Sequence, residues 1–159
     1  MNVTRQRMLL IVAGFSLAAV AVALISQHVF DMQPCAWCVL QRLIYLAIAL
    51  VCLLGAAGGA IVARVAALLA AALGVAGVAT AWYQHAVASK LLSCDMTFAD
   101  RFMSHSGLDG AIPSVFGIFA SCMDAVVVVG GLEFSVWSLI LFVLLTLSCL
   151  WGALRPSKR

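Results

Sequence analysis

From Leu43 to Ala63 the chain reads LIYLAIALVCLLGAAGGAIVA, without one charged side chain. A helix rises about 1.5 Å per residue and a bilayer's hydrocarbon core is roughly 30 Å thick, so a run of about 20 apolar residues makes one crossing. Working outward, equally uncharged stretches run from Met8 to Phe30, from Val65 to Ser89 and from Phe134 to Leu154. The 159 residues are 65% hydrophobic and only 9% charged, a balance that a water-soluble domain of this length could not tolerate. The expected fold is an all-α membrane protein, one four-transmembrane-helix bundle over residues 1–159. The expected spans cover about 9–27, 40–58, 66–87 and 134–153.

The first stretch is read as a retained span. Its apolar core is longer than that of a signal peptide, and Ser26-Gln27-His28-Val29-Phe30 offers no small-x-small cleavage site. Four spans place both termini on one side. That side collects Arg5, Arg7, Arg64, Arg155, Lys158 and Arg159 and no acid, which marks it as cytoplasmic. The other side receives Asp31, Asp95, Asp100, Asp109, Asp124 and Glu133. The net charge of +3 is thus an insertion signal and excludes a nucleic-acid footprint as its reading.

The outer loops span about 28–38 and 88–133, and the second is long enough to expect a function of it. It contains Val115, Phe116, Ile118 and Phe119, which favour a segment lying on the membrane interface over a solvated coil. Trp82, Tyr83, Trp137 and Trp151 fall near span ends, where amphipathic rings suit the headgroup layer. Gly55, Gly59 and Gly74 allow helices to approach closely.

Cysteine usage directs attention to the outer side, where Cys35, Cys38, Cys94 and Cys122 all fall and where disulfides persist. In Pro34-Cys35-Ala36-Trp37-Cys38-Val39-Leu40-Gln41-Arg42 a C-x-x-C motif meets the outer end of the second span. Two thiols at that spacing close a small ring with little rearrangement, so oxidation and reduction are both accessible. With a helix beginning near Cys38, that thiol gains the helix N-terminus, which favours a thiolate. Arg42, four residues on, falls on the same face and deeper. An arginine there needs a polar or anionic partner or must snorkel, and it could stabilise a Cys38 thiolate or a reduced acceptor.

Four outer cysteines permit three pairings, of which Cys35 with Cys38 and Cys94 with Cys122 is the simplest. A static staple on the long loop is the plainer reading of the second pair. A four-thiol zinc site is disfavoured, because Cys94 and Cys122 lack the short knuckle spacing. His85, in Trp82-Tyr83-Gln84-His85 near the outer end of the third span, is a candidate for binding a polar head or relaying protons. His28 and His105 read as solvated, and Cys52 and Cys149 as small apolar side chains inside spans.

Four spans, Pro34-Cys35-x-x-Cys38 followed by Arg42, Tyr83-x-His85, the later cysteines Cys94 and Cys122, and Gly131-Leu132-Glu133 before the last span together resemble the DsbB family over nearly the whole chain. Gln41 stands where relatives often carry glutamate. The resemblance implies a protein-disulfide:quinone oxidoreductase of the bacterial inner membrane with its active site on the periplasmic face. It implies that Cys94 forms a transient mixed disulfide with a DsbA-like thioredoxin-fold protein, with Cys122 as its partner. Electrons then pass to Cys35 and Cys38, with Cys38 meeting the quinone as a thiolate, Arg42 assisting and His85 near the same site.

Thermodynamics agrees with a membrane acceptor. Moving two electrons from a dithiol near −120 mV to a thioredoxin-like one near −270 mV costs about 7 kcal/mol, so the relay needs a stronger acceptor than ordinary thiol exchange supplies. No glycine-rich nucleotide fingerprint and no haem or metal ligand set is present in the sequence, so the expected cofactor is a quinone, ubiquinone or menaquinone, with no metal and no flavin. The expected partners are the DsbA-like protein and the lipid and quinone pool, with the chain itself monomeric. The rival enzyme is a vitamin K epoxide reductase-like protein, whose shuttle cysteines usually precede the C-x-x-C, the reverse of the order here. The rival without catalysis is a membrane scaffold stapled by disulfides, which leaves Arg42 and the C-x-x-C without a purpose.

Overall fold

The computed structural model describes residues 3–90 and 96–154. Four long helices dominate it: α1 (Val3–Val29), α2 (Ala36–Ala57), α3 (Ala60–Ala86) and, after the long loop, the helix Phe134–Leu154. All four are long and apolar enough to cross a membrane. Between them, a single 3₁₀ turn at Ala88–Lys90 leads toward three short helices, α4 (Phe98–Ser106), α5 (Leu108–Ala111) and α6 (Pro113–Phe116). A hairpin of β1 (Val128–Val129) and β2 (Leu132–Glu133) then feeds the last helix, α7 (Phe134–Leu154).

Helices α2 and α3 begin well ahead of the expected span starts near 40 and 66, because helical backbone is not limited to the uncharged stretch. Exposed Arg64 sits within α3 without harm. The consequence matters at the C-x-x-C: α2 starts at Ala36, not near Cys38, so Cys35 is the N-cap residue and Cys38 lies in the first turn. Pro34 immediately before the cap disfavours helix on its N-terminal side. Gly58 and Gly59 break α2 from α3 in a tight turn. A methyl group on Gly58 would meet the Val62 side chain at 2.6 Å.

α2 packs between α1 and α3, α3 packs on α7, and a looser contact between α7 and α1 closes the ring. The close α3 to α7 approach depends on Gly74 and Gly77, which lie against Thr146 and Phe142, while Gly55 of α2 lies against Ala66 of α3. Van der Waals packing of this kind holds apolar helices together where lipid removes the hydrophobic drive. Phe142 fills the centre, fully buried and stacked on Tyr45 at a centroid separation of 4.0 Å, and the Tyr45 hydroxyl donates to the Ser138 carbonyl (3.1 Å). Leu10, Ile11, Phe15, Leu54, Ile61 and Leu147 point outward, an apolar exterior suited to lipid. Cys52 and Cys149 are both fully buried and face each other across α2 and α7.

The long loop folds back over one end of the bundle. Thr97 and Asp100 form a capping box at the start of α4, and the helix buries Ala99 and Met103 while Phe98 and Phe102 stay exposed. The apolar cluster divides, which corrects the expectation of one interfacial segment: Phe116 is buried, Val115 and Ile118 pack against the core, and only Phe119 faces outward. The backbone N–H groups of Phe119 and Ala120 donate to the Pro34 carbonyl (3.0 and 3.3 Å), tying this segment to the residue before Cys35. Gly130 and Gly131 turn the hairpin with φ of +62° and +85°, values that L side chains rarely adopt.

Candidate functional site

The start of α2 gathers the thiols. Cys35, as N-cap, contributes no side-chain cap; its carbonyl accepts from the Val39 N–H (3.0 Å), and its side chain is fully buried. The Cys38 thiol is half-buried, and the two sulfurs are 3.1 Å apart. Cys122, half-buried on the long loop, presents its thiol to Cys35. That contact, then the contact with Cys38, then burial hold the Cys35 thiol well above its ordinary pKa. Three of the four sequence-selected cysteines therefore form one cluster in the order Cys122, Cys35, Cys38. Cys94 lies outside the described residues.

Arg42 is on α2 one turn beyond Cys38, as the helical spacing requires, and is 5% exposed. It finds neutral partners and does not snorkel. Its Nη1 donates to Gln27 Oε1 (2.6 Å) and to the Val115 carbonyl (2.9 Å), and its Nη2 to the Ala23 carbonyl (3.3 Å). The guanidinium thus pins α1 and the long loop to α2. Its Nε is buried without a hydrogen-bond partner among the described residues.

Two glutamines complete the polar wall. Gln84 Nε2, from α3, donates to the Cys38 sulfur (3.1 Å), and Gln84 Oε1 accepts from Gln41 Nε2 (2.6 Å). His85 pairs with a carboxylate. Its Nδ1 lies 2.6 Å from Glu133 Oε2, with side chains about one-third exposed, and Ser135 Oγ donates to the same oxygen (3.3 Å). Glu133, not His85, lines the cavity described next. His28 and His105 are exposed.

That cavity, about 590 Å³, has Cys38, Gln41, Arg42, Gln84 and Glu133 at its head. Below them its walls are apolar: Phe15, Ala19 and Val22 from α1, Leu141 and Leu144 from α7, and Tyr45 from α2. Phe15, Val22 and Leu144 are also exposed on the bundle's flank, so the cavity opens sideways between α1 and α7, where the ring is loosest. A polar head over an apolar slot of this size fits a flat, lipid-soluble ring with polar oxygens.

Gln27, Gln84 and Glu133 were given no site role from the sequence. For the two glutamines the signal was present: a polar side chain inside an apolar stretch is expected to face the bundle interior. Which of them would meet which could not be read, because Gln27 reaches Arg42 across two helices and Glu133 reaches His85 across the long loop.

Fold and site define a class: an all-α, multi-pass membrane protein with a dithiol at the head of an apolar cavity. Comparison with known proteins narrows it. Residues 5–152 match the family model described as disulfide bond formation protein DsbB. The chain is 34% identical to disulfide bond formation protein B of Herminiimonas arsenicoxydans, over 92% of this chain and 94% of that one. It is 32% identical to the protein of the same description from Stutzerimonas stutzeri, over 98% and 99%. For Cupriavidus metallidurans the identity is 30%, over 94% and 92%. The chain belongs to the DsbB family of disulfide bond formation proteins, a family of thiol oxidoreductases.

Proposed function

We propose that the chain is a protein-disulfide:quinone oxidoreductase of the bacterial inner membrane, with both termini cytoplasmic and the thiol end facing the periplasm, where it reoxidises a DsbA-type dithiol protein. The observation that carries this reading is the file of thiols from Cys122 through Cys35 to Cys38, ending at a cavity head furnished with Arg42 and Gln84.

A partner thiolate attacks Cys94 of a Cys94–Cys122 disulfide, forming a mixed disulfide and releasing Cys122 as a thiolate. Cys122, already beside Cys35, attacks that sulfur, and the Cys35–Cys38 bond breaks with Cys38 leaving as the thiolate. The direction follows from the two environments. Cys35, buried with its thiol held high, is the poorer leaving group, whereas Cys38 has the Gln84 N–H aimed at its sulfur and shares the cavity with a guanidinium. The partner's second thiol then resolves the mixed disulfide, leaving the partner oxidised and Cys94 reduced. Cys94 recloses on Cys122 and frees Cys35. One dithiol, Cys35 and Cys38, now carries the two electrons and two protons that the partner gave up.

A quinone, if bound in the cavity, would supply the acceptor for those two electrons and two protons as Cys35 and Cys38 reclose. Arg42 and Gln84 would hold its polar head near Cys38, and Phe15, Val22, Leu141 and Leu144 would enclose its ring and tail. Glu133 and His85, bridging the cavity head and the solvent-exposed surface, can hold or pass a proton there.

Quinone reduction by the purified chain with a reduced DsbA-type donor tests the proposal. Turnover in the wild type and none in Cys38→Ser is the expected result. Absence of turnover with either ubiquinone or menaquinone analogues would overturn it.

A further inference from the structure

Cys38 is the sulfur from which electrons leave, on the reading just given, and its immediate neighbour is an amide. We propose that Gln84 is a catalytic residue that stabilises the Cys38 thiolate through its Nε2–H, and that Gln41 is a positioning residue that fixes which end of the Gln84 amide meets the sulfur.

An amide side chain has two faces of opposite character. Its nitrogen donates and stabilises a nearby anion, whereas its oxygen would repel one. Left alone, Gln84 could present either end to Cys38. Gln41 decides the matter: its Nε2 donates to Gln84 Oε1 at 2.6 Å, so the oxygen is engaged and the nitrogen is left to donate to Cys38 Sγ at 3.1 Å. Cys38 and Gln41 are three residues apart on α2 and share one face, which puts the orienting amide within reach of the group it orients. Both glutamines are buried, 5% and 7% exposed, so bulk water has little access to these bonds. In such surroundings a donor aimed at developing charge counts for more than in water.

The groups that bear on Cys38 are few. Cys35 is 3.1 Å away at the α2 cap and brings Cys122 with it. Arg42 lies one turn on along α2, and Glu133, paired with His85, reaches the same cavity head from the hairpin. Two neutral donors touch the sulfur, the Cys35 thiol and the Gln84 amide, and of these only the amide is not itself part of the dithiol.

The test is alkylation of the fully reduced, quinone-free protein by iodoacetamide across pH, with Cys38 modification read by peptide mass. In Gln84→Leu the Cys38 midpoint is expected to rise by about one pH unit, which is about tenfold less thiolate at any pH well below the midpoint. Gln84→Glu, which keeps the shape but replaces the donor by an acceptor, is expected to raise it at least as far. Gln41→Leu frees the amide to turn and raises it by a smaller amount. A purely structural role for Gln84 would lower thermal stability without moving the midpoint. An unchanged midpoint in folded Gln84→Leu or Gln84→Glu protein would overturn the proposal. Since the profile needs neither quinone nor partner, that failure is distinguishable from failure of the oxidase reading, which the wild-type turnover assay decides.

Discussion

The two ends of the bundle hold the same residue types and put them to opposite use. Each end buries an arginine, Arg42 at the thiol end and Arg5 at the other, each 5% exposed. Arg5 Nε donates to the Gly152 carbonyl (2.9 Å) near the end of α7, and its Nη1 to the Ala60 carbonyl (3.3 Å) at the start of α3. It clasps two helix ends together, and at Gly152 it satisfies a last-turn carbonyl as cations at helix C-termini do. Arg42 also holds carbonyls, but its Nε is unspent and the residue lines a cavity. The thiol pairs repeat the lesson. Cys52 and Cys149 meet among apolar side chains, whereas Cys35 and Cys38 meet beside an amide donor, a guanidinium and a third thiol. Residue type alone does not distinguish the two thiol pairs; their polar neighbours do.

The largest expected effect comes from removing the positive charge at the thiol end. Arg42→Met should lower quinone turnover on the order of a hundredfold, the usual loss when a preorganised electrostatic group is deleted. It should also loosen the α1 and loop contacts made through Gln27 and Val115. Steady-state kinetics with quinone as the varied substrate would show it, and wild-type turnover in this variant would erase the distinction between the two arginines. Arg5→Met is expected to cost about 2 kcal/mol of stability, from the loss of charged hydrogen bonds, with turnover per folded molecule unchanged. Thermal denaturation in detergent, set beside the same assay, checks both halves. The smallest effect is expected from Cys52→Ala, which trims one buried sulfur for about 1 kcal/mol and leaves turnover alone. Lost turnover there would bring the second thiol pair into the mechanism.

Much of this was legible from residues alone. Absence of charge marked all four long helices, and the helical offset from Cys38 to Arg42 put both at one cavity. The start of α2 was less legible, since Cys35 caps through its backbone and gives no side-chain signal. The β-hairpin was within reach of pattern reading, because Gly130-Gly131 follows a valine run, but two-residue strands leave little periodicity to detect. The placement of Cys122 beside Cys35 could not be deduced. The simplest pairing by spacing sets Cys122 with Cys94, and it takes tertiary contacts such as the anchoring of Phe119 and Ala120 to the Pro34 carbonyl to carry the loop to Cys35.

The step from Cys122 to Cys35 is the centre of the proposed relay. A DsbA-type donor whose second active-site cysteine is replaced by alanine should trap the mixed disulfide at Cys94, after which acid quenching and peptide mapping report every linkage. A Cys35–Cys122 disulfide with Cys38 free to alkylate, and Cys52 and Cys149 untouched, is the predicted result. An intact Cys35–Cys38 disulfide beside a free Cys122 thiol in the trapped complex would contradict it.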